Sequence, residues 1–160
     1  MASIQYIFLK VFSYCILIAY LCTYAYAEIL VNKLDDLQAS VTSGRQNDLI
    51  LQERLCVGSN PAGPFSLQIL GSGDNGSFSI QNGPNILNYS AFVRDRFSRG
   101  RFRNVIPGEL MSGFQSRRLR NNETCRGNST VLRIIFAHEV FQAVPSGIYQ
   151  GSIQITVIPE

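Results

Sequence analysis

Tryptophan is absent from the 160 residues, histidine occurs once, and charged residues make up only 16% of the chain. No fixed repeat is present, which excludes collagen, coiled-coil and solenoid architectures. No stretch of ten or more residues carries a clear helical period. The net charge of +3 is too small to indicate nucleic acid as the primary partner. In contrast, 10 Phe and 7 Tyr supply material for a core, which argues against disorder. One domain of ordinary size is expected.

The N-terminal segment is typical of a secretory signal peptide. Lys10 precedes an apolar run, Val11–Leu21, and Ala25-x-Ala27 forms a small-residue cleavage site. The run is shorter than the ~20 residues that span a bilayer. We therefore predict a signal peptide over residues 1–27, with Glu28 as the mature N-terminus. An uncleaved anchor is the alternative, whereas a lipoprotein site at Cys22 is disfavoured by the large residues before it.

Cleavage after Ala27 leaves two of the four cysteines, Cys56 and Cys125. Two cysteines in an exported chain indicate one disulfide, formed in an oxidising compartment. A zinc site is disfavoured because no further cysteine is left and the only histidine, His138, lies well beyond Cys125. We predict no metal site and no cofactor.

Short segments with period-two alternation recur along the mature chain, and Gly, Asn, Ser and Pro separate them. Strands of this length are stable only when two sheets bury their alternate side chains against each other. The pattern predicts an all-β sandwich. The predicted segments contain Leu49–Leu55, Phe65–Ile69, Phe78–Ile80, Ile86–Val93, Val131–Phe136 and Ile153–Val157.

Several segments in this order resemble the spore coat protein U family, whose members include subunits of archaic chaperone–usher pili. The resemblance covers most of residues 28–160, which we take as one spore coat U-like, pilin-like domain. Its opening strand corresponds to residues 29–37. The other segments that carry the resemblance are residues 55–60, 65–67, 71–83, 87–92 and 147–157.

The resemblance implies an immunoglobulin-like sandwich that lacks one strand and is completed by a strand from another molecule. Its partners would be a periplasmic chaperone, an outer-membrane usher and other pilus subunits, and the fibre would support adhesion to a host or abiotic surface, or biofilm. The strand-exchange edge is expected at Ile153, Ile155 and Val157. If residues 28–33 belong to the domain's own first strand, and not to a donor strand, the chain is a terminal subunit.

The middle of the chain is rich in arginine. Residues 94–126 contain nine arginines and three acidic residues, whereas the rest of the mature chain has four basic and eight acidic residues. Arginine suits phosphate and carboxylate groups, so an anion-binding role is expected. The alternative function is therefore a freestanding secreted module that binds an anionic glycan or another anionic polymer. The expected anion-binding residues are Arg94, Arg96, Arg99, Arg101 and Arg103.

Two motifs that suggest enzymes are given structural interpretations. The glycines at 71, 73 and 76 match a dinucleotide-binding spacing, but a strand-like segment and not a helix follows them, which favours a hairpin connection. His138 stands beside Glu139 without a nucleophile-elbow motif, so a solvent-facing loop is the preferred interpretation. We expect a structural protein and not an enzyme, located in the periplasm in transit and then at the cell surface in a fimbrium.

Overall fold

The computed structural model describes residues 30–31, 37–42, 46–96, 101–119, 125 and 127–160. The predicted signal peptide, residues 1–27, and the predicted anion-binding residue Arg99 lie outside the described residues.

The described residues form an almost entirely β structure. One short helix, α1, spans His138–Gln142, and a 3₁₀ turn spans Asp74–Gly76. The strands are β1 Leu30–Val31, β2 Leu37–Val41, β3 Leu49–Leu55, β4 Val57–Ser59, β5 Pro64–Gly71, β6 Ser79–Asn82, β7 Asn85–Asn88, β8 Ser90–Asp95, β9 Arg103–Asn104, β10 Leu110–Gln115, β11 Arg117–Arg118, β12 Thr130–Phe136, β13 Gly147–Gly151 and β14 Ile153–Pro159.

These strands form a sandwich, which confirms the predicted fold class. One layer is the four-stranded sheet β3-β12-β8-β9. The other layer contains the sheets β10-β5-β14 and β2-β13-β6-β7, and the remaining strands form a small sheet, β1-β4-β11. Strands β5, β8, β12 and β13 contribute side chains to one continuous hydrophobic core. The layered arrangement and the alternating strands are those of an immunoglobulin-like β-sandwich.

Alternation along β5 and β12 explains which side chains reach the core. Leu132, Ile134 and Phe136 are at most 3% exposed. Phe65, Leu67 and Ile69 are at most 1% exposed. Because side chains alternate between faces with a period of two, one face of each strand is apolar and packs inward. The sequence prediction for these two strands is confirmed.

The prediction of one segment over Ile86–Val93 is wrong, because the chain breaks at Tyr89. Strand β7 belongs to one layer and β8 to the other. Tyr89 is buried at the crossing, where its ring centroid lies 5.5 Å from that of Phe78 and 5.2 Å from that of Phe136. Two aromatic contacts therefore anchor the point where the chain changes sheets.

The buried hydroxyl of Tyr89 has no hydrogen-bond partner among the described residues. An unsatisfied buried hydroxyl destabilises the native state, so Tyr89→Phe is expected to raise the free energy of unfolding by about 1 kcal/mol. Thermal unfolding of the two proteins at neutral pH tests this expectation. A variant that is less stable than the wild type would show that the hydroxyl is satisfied.

The same side chain gives a pH dependence. Burial raises the pKa of Tyr89 from 10.0 to about 12. Between these values the unfolded chain releases a proton that the native state retains, so native stability is complete below pH 10 and falls as the pH rises towards 12. Denaturant titrations across this range should show a shallower fall for Tyr89→Phe.

The glycine-rich segment after β5 forms a tight turn, but the predicted hairpin connection is wrong, because β5 pairs with β10 and β14 whereas β6 pairs with β13 and β7. Asn75 and Gly76 have φ values of 55° and 78°, and Gly76 N donates a hydrogen bond to the Gly73 carbonyl oxygen over 2.9 Å. The left-handed conformation at Gly76 is one that glycine adopts without strain. Strand β6 follows the turn directly, so the segment connects two strands and has no helix to receive a pyrophosphate.

Candidate functional site: the open side of the sandwich

The predicted disulfide between Cys56 and Cys125 is confirmed. The two Cα atoms are 5.9 Å apart. Both cysteines are buried and form a small apolar cluster with Leu119, separate from the main core. Cys56 separates β3 from β4, so the bond fixes the chain where it passes from the four-stranded layer to the small sheet.

The final strands, β13 and β14, differ in how many partners they have. In β13, Gln150 pairs with Gln38 of β2 and also with Gln81 of β6. A strand residue can pair with one neighbouring strand on each side, so β2 and β6 must lie on opposite sides of β13. Strand β14 pairs with β5 over its full length, from Ile153 to Pro159.

Strands β5 and β6 lie on the same edge of the continuous segment β13–β14. The Ser72 hydroxyl, just after β5, donates a hydrogen bond to the Ser79 carbonyl oxygen at the start of β6, over 2.9 Å. The opposite edge of β14 is therefore in line with β2, and no described strand pairs with it. Pro159 at the end of β14 fits an edge strand, since proline cannot donate to a sheet ladder.

The inward-facing side chains of β13 are more deeply buried than those of β14. Tyr149 of β13 and its partner Ala39 of β2 are both buried, at 0% and 2% exposure. Ile153, Ile155 and Val157 of β14 are only half-buried, although they pack against the same core. Among the described residues, no strand covers the inward-facing side chains of β14 as β2 covers those of β13.

Strand β3 lines the same open side from the other layer. The five residues between β9 and β10 connect the two layers on one side, which leaves β3 and β14 as the edge strands on the other. Leu49 and Leu51 of β3 are half-buried against the core, and Glu53 is exposed. Glu53 pairs with the core residue Leu132, so it belongs to the inward-facing set of β3. The open side is thus apolar with one carboxylate at its β3 rim.

The predicted strand-exchange residues Ile153, Ile155 and Val157 lie on β14, and the prediction did not include β3. Alternation gives Ile153, Ile155 and Val157 directly. The signal in β3 was the interruption of an alternating Leu49-x-Leu51-x-x-x-Leu55 pattern by Glu53 on the inward face. A charged residue at an inward position of a strand is a known feature of sheet edges.

Two of the predicted anion-binding arginines, Arg94 and Arg103, lie on opposite faces of their sheet, because Arg103 pairs with the inward-facing Val93 and Arg94 is the next residue along β8. Arg94, Arg96 and Arg101 are exposed. Arg103 lies at the β9–β10 side, where its guanidinium carbon is 4.4 Å from the Phe114 ring centroid and Nη1 donates to the Ser112 carbonyl oxygen over 2.9 Å. The Arg103 side chain therefore bridges the two layers, and an anion would have to compete with these contacts.

His138 begins α1 and does not lie in a loop as predicted. Its backbone N–H donates to Asp48 Oδ1 over 2.9 Å, and its ring nitrogens face two carboxylates, those of Asp48 and Glu139. Asp48 thus caps the start of the helix. Within the described ranges, no three His, Cys, Asp or Glu side chains are placed to hold a metal ion.

The part of the chain that the structure describes contains no helix of the length and apolar character needed to cross a membrane.

Comparisons with known proteins give one likeness. No protein-family model matches the chain, and no curated protein matches it. It is similar to a chain of a solved structure described as a chaperone–tip adhesin complex that is vital for synergistic activation of CFA/I fimbriae biogenesis. The two are 14% identical over 83% of this chain, with a TM-score of 0.49. This chain spans 42% of the length of that chain.

Proposed function

We propose that this chain is an exported structural subunit of a bacterial surface fibre, whose sandwich is completed by a β-strand from another protein. The observation that carries the proposal is the seven-residue strand β14, which has three half-buried apolar side chains and an edge in line with β2 that no described strand pairs with. An unpaired edge beside an apolar surface favours addition of a strand, because backbone hydrogen bonds and side-chain burial are gained together.

The proposed order in which the partners bind follows from the resemblance to spore coat U and pilus subunits. A periplasmic chaperone covers the open side after export, an outer-membrane usher receives the complex, and a neighbouring subunit then replaces the chaperone strand. The fibre at the cell surface supports adhesion or biofilm. The predicted disulfide, which is present, suits the oxidising compartment that this route requires.

A terminal position in the fibre is supported by the start of the domain. Leu30 and Val31 form β1, which pairs with Gly58 and Val57 of β4. If cleavage follows Ala27, this segment is part of the subunit's own sheet and is not free to be donated. We therefore propose a subunit that accepts a strand and donates none. Purified mature protein that forms linear polymers through residues 28–33 would contradict this position.

A synthetic peptide of alternating valine and threonine, about seven residues long, tests the acceptor edge. Binding is expected to raise the melting temperature as the peptide concentration increases. At a peptide concentration of a hundred times Kd, the added free energy of unfolding is ~2.7 kcal/mol. The same peptide with methylated backbone nitrogens cannot pair with β14 and is the control. A melting temperature that does not change with the unmodified peptide would contradict the proposal.

Two neighbouring substitutions in β14 locate the binding. Ile155→Asp places a charge on the inward face, and we expect it to weaken peptide binding at least tenfold, roughly 1.4 kcal/mol or more. Thr156→Asp is the matched control, because its side chain belongs to the opposite face of the same strand. Equal losses from both variants would show that the peptide binds elsewhere.

A further inference from the structure

Three arginines from three neighbouring strands share the outer face of the four-stranded sheet. Val131 of β12 pairs with Arg54 of β3 on one side and with Arg94 of β8 on the other. Arg133 lies two residues further along β12. Directly paired residues share a face, and Leu132 between them faces the core, so all three arginines project outward. We call Arg54, Arg94 and Arg133 the arginine face.

Two of these guanidinium groups are held in place. The Arg133 guanidinium carbon lies 3.7 Å from the Phe102 ring centroid, and that of Arg94 lies 4.8 Å from the same centroid. With the amide of Gln52 turned so that its oxygen faces Arg133, that oxygen accepts from Nε and Nη2, both over 3.0 Å. The guanidinium has five N–H groups, so the remaining donors of Arg133 stay available in a fixed orientation.

No acidic side chain among the described residues projects from this face. The nearest acids along the strands, Glu53 of β3 and Asp95 of β8, belong to the inward-facing sets, because they pair with Leu132 and Thr130. The outward positions of β3, β8, β9 and β12 are occupied by apolar, polar and arginine residues: Ile50, Gln52, Arg54, Ser90, Phe92, Arg94, Asn104, Val131, Arg133 and Ile135. No described acidic side chain therefore compensates the three positive charges on their own face.

Arg54 and Arg94 lie on opposite sides of Val131. Arg54 and Arg94 are two strand spacings apart, about 10 Å between backbones. Val131 between them is only 8% exposed, which is expected where the long stems of flanking arginines cover an apolar residue. An elongated ligand that crosses the strands would meet a charge on each side of Val131 and a third at Arg133.

We propose that the arginine face binds an acidic polysaccharide through its carboxylate groups. The planar fork of a guanidinium matches a carboxylate in a two-point hydrogen bond, and an uncharged polar rim suits sugar hydroxyls. A nucleic acid fits less well. The Phe102 ring is in contact with two guanidiniums and is not a free platform for a base. A flat sheet face also offers no helix or ribbon for the groove of a duplex.

This face is independent of strand addition at the open side, and it differs from the arginine-rich segment of the sequence. Arg54 and Arg133 come from the part of the mature chain with excess acidic residues. Sheet pairing, and not local sequence, brings them beside Arg94.

Binding of the full chain to immobilised polygalacturonate, measured against NaCl concentration from about 50 mM upward, tests the proposal. We expect Arg54→Gln to weaken binding about tenfold and to make the salt dependence shallower. Arg118→Gln removes one charge from another exposed strand, β11, and should change binding less than about twofold. Arg54→Lys keeps the charge but loses the fork, so an intermediate loss of about threefold is expected.

Three results would overturn the proposal. The first is no binding to polygalacturonate at the lowest salt concentration. The second is an equal loss from Arg54→Gln and Arg118→Gln, which would mean attraction by net charge alone. The third is tighter binding of a DNA duplex with the same response to the variants, which would assign the face to nucleic acid. Melting temperatures of the variants establish that each is folded, and Arg54 has no described partner whose loss would unfold the chain.

Discussion

Replacing Cys56 and Cys125 together by serine is expected to lower the free energy of unfolding by about 4 kcal/mol. The bond joins residues 69 positions apart, so it removes much of the conformational freedom of the unfolded chain. It also fixes the β3–β4 junction, where the chain passes between sheets. Because a domain of this size has only about 5–15 kcal/mol of stability, the loss is a large share of the total.

Urea unfolding of the oxidised wild type and of the double serine variant measures this difference. The wild type unfolded in the presence of a thiol reductant is the control and should match the variant, since both lack the bond. A double variant as stable as the oxidised protein would show that the small cluster with Leu119 holds the junction without the bond.

A strand joined to the C-terminus is expected to raise the melting temperature by about 10 °C. The added segment is an Asn-Gly turn after Glu160 followed by seven alternating apolar and polar residues, which fold back along the free edge of β14. Burying the exposed parts of Ile153, Ile155 and Val157 contributes about 3 kcal/mol. The new backbone bonds and side-chain contacts offset the entropy of ordering the strand.

The same extension with its alternation shifted by one residue is the matched control. Composition and length are unchanged, but the apolar residues now face solvent and the polar ones face the core. Only the first extension should stabilise the protein and slow amide exchange in β14. Equal melting temperatures for both extensions would contradict an acceptor edge at this strand.

The strands that alternation identifies are those with one strongly apolar face. Strands β5, β12 and β14 were predictable because their inward residues are apolar and pack on the core, whereas their outward residues include polar or charged side chains such as Gln68, Arg133 and Gln154. The disulfide was predictable because cleavage of the predicted signal peptide would leave two cysteines. These signals are local or depend on composition, so a single sequence contains them.

Pairing between distant strands could not be predicted in the same way. Nothing in the local sequence shows that β2 pairs with β13, because this depends on register across more than a hundred residues. The short strands β9, β10 and β11 in the arginine-rich part of the chain were not predicted, because their alternation is weak. The break at Tyr89 was also hidden, since an aromatic residue fits a continuous strand as well as a crossing between sheets.

The length of β14 sets the length of the strand that it can accept. Leu37, the first described residue of β2, pairs with Gly151, two residues before Ile153 at the start of β14. The edge of β14 that no described strand pairs with offers a partner about seven residues, or roughly 23 Å, of backbone. Partners with a longer extended segment would project beyond the far end of β14. The subunit would therefore select donor strands by their length as well as by their side chains.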